Sequence, residues 1–134
     1  MSGNKIIIDV LTLDSVQCAA CGYMMESIAA MPPDVQEVIE YKEWSIKNKS
    51  GIGKFLELNG RVLPTICIEG DLVFESIIPQ YEELIDELAK RSPSDEIGER
   101  IMSLRGVGFN FEKIGENLEK AGAGMHTRTD SEIK

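Results

Sequence analysis

Cys18 and Cys21, separated by two alanines, form a CxxC pair that follows an apolar run and opens a helix-like segment. A cysteine thiolate is the nucleophile of disulfide exchange and a ligand for soft metals, so the pair could serve either chemistry. Cys18 is predicted at the first turn of the helix, where unpaired backbone N–H groups stabilise negative charge. Cys21, one turn later, could attack a mixed disulfide formed at Cys18. The spacing therefore predicts an attacking Cys18 and a resolving Cys21.

A second motif, Leu63-Pro64-Thr65, leads into an apolar run that contains Cys67. In a strand–CxxC–helix arrangement, the loop before this run is expected beside the start of the CxxC helix. A cis Leu63–Pro64 peptide bond would expose backbone groups of Leu63 for pairing with a bound peptide. Leu63, Pro64 and Thr65 are therefore predicted to bind the substrate. Cys67 is predicted to be a buried, unreactive core thiol.

The composition narrows the choice of partner. The chain has 134 residues and a formal net charge of −9, which argues against nucleic acid and against anionic membrane surfaces. The N-terminus lacks the apolar core of a signal peptide, and no stretch approaches the roughly 20 apolar residues of a membrane span. We therefore expect a cytoplasmic protein. In that reducing compartment, a CxxC pair is redox-active or metal-binding rather than a structural disulfide.

The elements that must position these residues follow from apolar periodicity and turn residues. Strands are predicted at 5–13, 35–41, 65–69 and 72–76, and helices at 18–31, 50–58 and 80–91. Ser50 is predicted to cap the second helix, and Gly70-Asp71 to form a two-residue hairpin turn. The order β-α-β-α-β-β-α predicts an α/β fold, with a mixed four-stranded sheet covered by helices on both faces.

Ser92-Pro93-Ser94 is typical of a linker. It divides the chain into a domain at 1–92, a two-helix extension at 93–121 and a flexible tail at 122–134. The extension helices are predicted at 95–104 and 110–121, each with one apolar face. Two such short helices cannot bury these faces alone. They should pack on the main domain or on a second subunit. Packing on a second subunit would make the protein a homodimer.

The CxxC pair after the first strand, Leu63-Pro64-Thr65 before the third and the following hairpin resemble the thioredoxin/glutaredoxin superfamily. The likeness is to its small thioredoxin-like redox proteins of bacteria and archaea, and it covers roughly residues 5–91. It implies a thioredoxin-like fold and a thiol–disulfide oxidoreductase, in which Cys18 attacks, Cys21 resolves and a cis Pro64 shapes the substrate groove. The redox-active Cys18–Cys21 disulfide would stand in for a cofactor, with no metal. The implied partners are a protein disulfide and a thiol reductant or reductase.

Two other functions stay open. A CxxC after a strand also looks like the copper-binding loop of heavy-metal-associated domains, in which two thiolates suit Cu(I). The βαββαβ order of those domains, however, has no place for the Leu63-Pro64-Thr65 strand. The chain could also be a redox-inactive module that uses the fold to bind a partner. A closed zinc site has no obvious ligand set, because the single histidine, His126, lies in the polar tail.

Overall fold

The computed structural model describes residues 5–14 and 18–113. Its four strands are β1 (Ile6–Thr12), β2 (Ile39–Ser45), β3 (Thr65–Ile68) and β4 (Asp71–Glu75). Its helices are α1 (Ala19–Ala29), α2 (Pro33–Gln36), α3 (Lys49–Glu57), α4 (Tyr81–Lys90) and α5 (Asp95–Met102). A short 3-10 turn, Phe111–Lys113, follows α5.

The strands form one mixed sheet in the order β2-β1-β3-β4. β1 runs parallel to β2, whereas β3 runs antiparallel to both of its neighbours, β1 and β4. The helical crossover between β1 and β2 allows their parallel pairing, and the tight β3–β4 turn requires an antiparallel one. The predicted α/β architecture with a mixed four-stranded sheet flanked by helices is confirmed.

Side chains alternate across β1, so the sheet has two different faces. One face carries Ile6, Ile8 and Val10, which join a core built with α1, α4 and α5. The opposite face carries Asp9 and Leu11 and is contacted by α3. Full burial of one large aliphatic side chain contributes about 1.5–3 kcal/mol, so the first face supplies much of the driving force for folding.

The second strand differs most from its prediction. It was expected at 35–41, but β2 covers Ile39–Ser45, and Pro33–Gln36 forms the short helix α2. Proline at the first position of a helix is favourable, which explains why this segment starts α2. The later part of β2 escaped recognition because two of its buried side chains, Glu43 and Ser45, are polar.

Two local predictions are also wrong. The helix expected from Ser50 begins at Lys49, and its cap is Asn48, which leaves Ser50 inside the first turn. The hairpin turn is Glu69–Gly70, because Ile68 pairs with Asp71. Glu69 and Gly70 have φ values of 51° and 87°. Positive φ at both central residues defines the hairpin turn whose twist suits the flanking strands, and glycine at the second position lowers its cost.

The first extension helix packs on the main domain, the first of the two predicted arrangements. Ile101 of α5 is fully buried in the same core as the sheet. The Tyr81 hydroxyl donates to the backbone oxygen of Leu104, and the Asn110 N–H donates to that of Ala30. The division at 92/93 stays a prediction. Most of the second predicted helix, the tail at 122–134 and His126 lie outside the described residues.

Candidate functional site

The site begins where β1 gives way to α1. Cys18 is the N-cap of α1, with an extended backbone at φ −99° and ψ 107°. Its Sγ accepts the backbone N–H of Cys21 at 3.2 Å, and its carbonyl accepts that of Gly22 at 3.0 Å. The first turn of α1 carries no acidic side chain. The sulfur thus takes the position of a capping oxygen, where free N–H groups and the helix dipole favour an anion.

Cys21 has the opposite surroundings, although it lies only one turn away. Its side chain is fully buried, whereas Cys18 is partly exposed, and both thiols are free. Burial is the largest cause that raises the pKa of Cys21, and its contact with the Cys18 side chain adds to this. Backbone hydrogen bonds from Asp14 and Leu13 partly oppose the rise. The pair therefore consists of a partly exposed sulfur and a buried one.

The Pro64 loop lies at the end of the sheet where β1 ends and β3 begins. Thr65 pairs with Leu11 near the end of β1, the strand that leads to Cys18. The Leu63–Pro64 bond is cis, the form expected from the sequence. Among the described residues, no hydrogen bond is made by the backbone N–H or C=O of Leu63. These groups are available to an extended peptide.

Two hydrogen bonds fix this loop. The Thr65 hydroxyl donates to the backbone oxygen of Val62 at 2.9 Å. The Ser76 N–H donates to that of Pro64 at 2.7 Å, which ties the loop to the end of β4. Thr65 itself is fully buried, so its side chain acts within the loop and is not offered to a substrate. The predicted role of Thr65 in substrate binding therefore rests on its position after Pro64.

Cys67 is not brought to the pair. It lies in β3 opposite Asp9 of β1, on the sheet face that α3 contacts, and its side chain is fully buried. Burial raises the pKa of its thiol to about 12, and the nearby carboxylates of Asp9, Glu75 and Asp71 act in the same direction. The predicted buried core thiol is confirmed.

Sequence reasoning missed a buried polar pair at the ends of β1 and β2. The Thr12 hydroxyl donates to Oε2 of Glu43 at 2.7 Å, and both side chains are buried. Next to it, the Ser45 hydroxyl donates to the backbone oxygen of Leu13 at 2.7 Å. The sequence signal for this pair is the alternation of residue types that continues from Tyr41 to Ser45. The predicted second strand ends at Tyr41 and therefore does not include it. These bonds tie the end of β2 to the end of β1, the strand that precedes Cys18.

Cys18 and Cys21, one helical turn apart at the start of α1, are the thiols on which the copper alternative rests. Within residues 5–14 and 18–113, no group of three or more His, Cys, Asp and Glu side chains could hold a metal. Over the same residues, no helix has both the length and the apolar character that a membrane crossing requires.

Comparison with known proteins gives no match, whether to a protein-family model, to a curated protein or to a solved structure. The case for a function therefore comes from the geometry of the site itself.

Proposed function

We propose that this protein is a thiol–disulfide oxidoreductase with a thioredoxin-like fold, which reduces a disulfide of a protein partner. The observation that carries the proposal is the asymmetry of the two thiols. Cys18 caps α1 and is partly exposed, whereas Cys21 is fully buried one turn later. Disulfide exchange needs one accessible thiol and one thiol held in reserve, and this arrangement fits that need.

The reaction proceeds in two exchanges. The Cys18 thiolate attacks one sulfur of the substrate disulfide and forms a mixed disulfide, and the other substrate sulfur leaves as a thiolate. Cys21 then gives up its proton and attacks Sγ of Cys18. The second substrate thiolate leaves, and a Cys18–Cys21 disulfide remains. Two electrons have passed to the substrate, and a thiol reductant or a reductase must return them to the protein.

The rest of the site fits this chemistry. The sheet order β2-β1-β3-β4, with its single parallel pairing, is compatible with a thioredoxin-like fold. The unpaired backbone groups of Leu63 could bind a substrate segment in strand-like fashion beside Cys18. We propose a cytoplasmic location, because a reducing compartment keeps such a pair available for turnover. A homodimer through the extension stays a prediction.

Three cysteine variants test the proposal. With dithiothreitol as electron donor and insulin as the protein disulfide, we expect Cys18→Ser to abolish turnover. Cys21→Ser, mixed with insulin after the dithiothreitol has been removed, should trap a mixed disulfide at Cys18, which mass spectrometry detects as an added mass. Cys67→Ser is the matched control, because it removes a thiol outside the pair, and it should retain turnover.

Two outcomes would contradict the proposal. One is equal alkylation of Cys18 and Cys21 in the folded protein together with no turnover. The other is binding of one Cu(I) per chain that requires both thiols, again without turnover, which would favour the metal-carrier alternative. Circular dichroism of each variant shows whether a lost activity is a loss of folding.

A further inference from the structure

An open groove runs between α4 and α5. Its volume is about 550 Å³, which falls within the range of ligand sites in proteins. Its lining includes three small residues, Ala89, Ser92 and Gly98. A Cβ added at Gly98 would lie 2.8 Å from the side-chain oxygen of Ser92, so the chain approaches itself closely there. Because the residues at this contact are small, space remains between the larger side chains on either side.

The groove lies away from the candidate site. β4 begins at Asp71 and ends at Glu75, which pairs with Thr65 directly after Pro64. Arg91, at the end of α4, donates to the carboxylate of Asp71 at 3.0 Å. The end of α4 is therefore held at the opposite end of β4 from the Pro64 loop. Groove-lining residues flank Arg91 on both sides in the chain, so a ligand bound there would leave the candidate site open.

One face of α5 supplies both charge and apolar surface to the groove. Asp95, Glu99 and Met102 all line it, and their spacing of four and three residues places them on one side of the helix. Met102 is 44% exposed, and a flexible thioether side chain adapts well to the shape of a partner. At 1.5 Å per residue, the stripe from Asp95 to Met102 is about 10 Å long, which is about two turns of a helix.

The two carboxylates of this stripe have no cation beside them in the part of the chain that the structure describes. Within residues 5–14 and 18–113, neither Asp95 nor Glu99 forms an ion pair. The other charged side chains of the lining, Asp86 and Lys90, each belong to an ion pair within the protein. The groove therefore presents two uncompensated negative charges, which a cationic ligand can meet without displacing an existing ion pair.

We infer that this groove binds a short basic amphipathic helix of a partner protein. Aliphatic side chains of that helix contact the surface of Ala89, Gly98 and Met102, and its lysine or arginine side chains pair with Asp95 and Glu99. A ligand that carried charge alone would leave Met102 exposed, and a purely apolar one would bury two unpaired carboxylates. The groove therefore favours a ligand with both properties. This binding involves no thiol, so the inference does not depend on the proposed function.

Fluorescence anisotropy with labelled peptides tests the inference on the full chain. Three cysteine-free probes of about 15 residues, long enough to form a helix, are compared. The lysine peptide has leucines along one face, flanked by lysines. The glutamate peptide replaces those lysines with glutamate, and the alanine peptide keeps the lysines but replaces the leucines with alanine. We expect the lysine peptide to bind at least about tenfold more tightly than either of the others, because only it satisfies both the carboxylates and the apolar surface.

Variants show whether the groove is where the peptide binds. Glu99→Lys should weaken binding of the lysine peptide by at least about tenfold and should allow the glutamate peptide to bind, because it exchanges an attraction for a repulsion. Met102→Ala should weaken binding of the lysine peptide by about threefold, because it removes apolar contact area. Glu40→Lys is the matched control, since it changes the net charge equally at an exposed position of β2. It should change each affinity by less than about twofold.

Glu99→Gln covers the case in which Glu99→Lys fails to fold, which circular dichroism would show. It removes the charge while keeping the shape of the side chain, and it should weaken binding of the lysine peptide by about threefold.

Four results would overturn the inference. The first is that the lysine peptide does not bind, and the second is that the alanine peptide binds equally well, which would mean that the groove takes cations without an apolar contact. The third is an equal loss of binding in Glu40→Lys and Glu99→Lys, which would make net charge the cause. The fourth is self-association of the wild-type protein that Glu99→Lys abolishes, which would make a second copy of the chain the occupant. Disulfide exchange is measured separately with the cysteine variants, so either hypothesis can fail while the other stands.

Discussion

The start of α1 and the middle of β3 each carry a cysteine, and they give it opposite surroundings. Cys18 is partly exposed, and its sulfur accepts a backbone N–H at 3.2 Å. Cys67 is fully buried, which raises the pKa of its thiol to about 12, and Asp9 on the same sheet face acts in the same direction. Backbone N–H groups in the first turn of a helix have no acceptor within the helix, whereas those of a central strand are hydrogen-bonded to the neighbouring strands. Position in the fold, and not residue type, decides which thiol can react.

The largest expected difference between the two regions is their rate of alkylation. At neutral pH, a thiol with a pKa of about 12 has roughly a thousandfold less thiolate than one at its ordinary value. We expect iodoacetamide to label Cys18 at least about a hundredfold faster than Cys67, as measured by mass spectrometry of quenched samples. In denaturant all three thiols should label at similar rates. Comparable alkylation rates of Cys18 and Cys67 in the folded protein would contradict this prediction.

The buried Cys67 thiol should also change how the free energy of unfolding depends on pH. The pKa of Cys67 is raised from 9.0 to about 12 in the folded protein. Above pH 9 the unfolded chain therefore loses this proton while the folded protein keeps it, and the free energy of unfolding falls. The slope is at most about 1.4 kcal/mol per pH unit for one proton. Its contribution is fully present below pH 9 and lost as the pH rises towards 12.

The variant Cys67→Ala isolates this contribution. Denaturant titrations between pH 8 and 11 should give a shallower fall in the free energy of unfolding for Cys67→Ala than for wild type. Other groups that ionise in this range contribute equally to both proteins. Parallel curves would mean that the Cys67 thiol ionises equally easily in the folded and unfolded states.

A smaller effect should follow from displacing α3, the helix that packs on β2 and β1. A Cβ added at Gly51 of α3 would lie 1.7 Å from the backbone oxygen of Ser45 in β2. Gly51→Ala must therefore displace α3 from the sheet, at a cost of about 1–3 kcal/mol. We expect Gly51→Ala to unfold at a lower denaturant concentration than wild type, as measured by circular dichroism. Gly53→Ala is the matched control, because a Cβ there meets no atom within 4 Å.

The parts predictable from sequence are those whose signals are local. A helix starting at Cys18 and a loop at Pro64 follow from a few adjacent residues, and both were placed correctly. β2 was misplaced because Glu43 and Ser45 are polar, and their burial makes sense only beside Thr12 and Leu13 on another strand. The Glu69–Gly70 turn was missed by one residue, because strand register decides which residues turn.

The sulfur cap of α1 connects the start of the helix to the proposed disulfide exchange. Because Sγ of Cys18 itself accepts the Cys21 N–H, the sulfur helps to hold the first turn of the helix. A thiolate is a stronger acceptor than a sulfur in a neutral disulfide. If the pair exchanges disulfides as proposed, formation of the Cys18–Cys21 bond should weaken this hydrogen bond. Amide exchange at Cys21 should then be faster in the disulfide form than in the dithiol form.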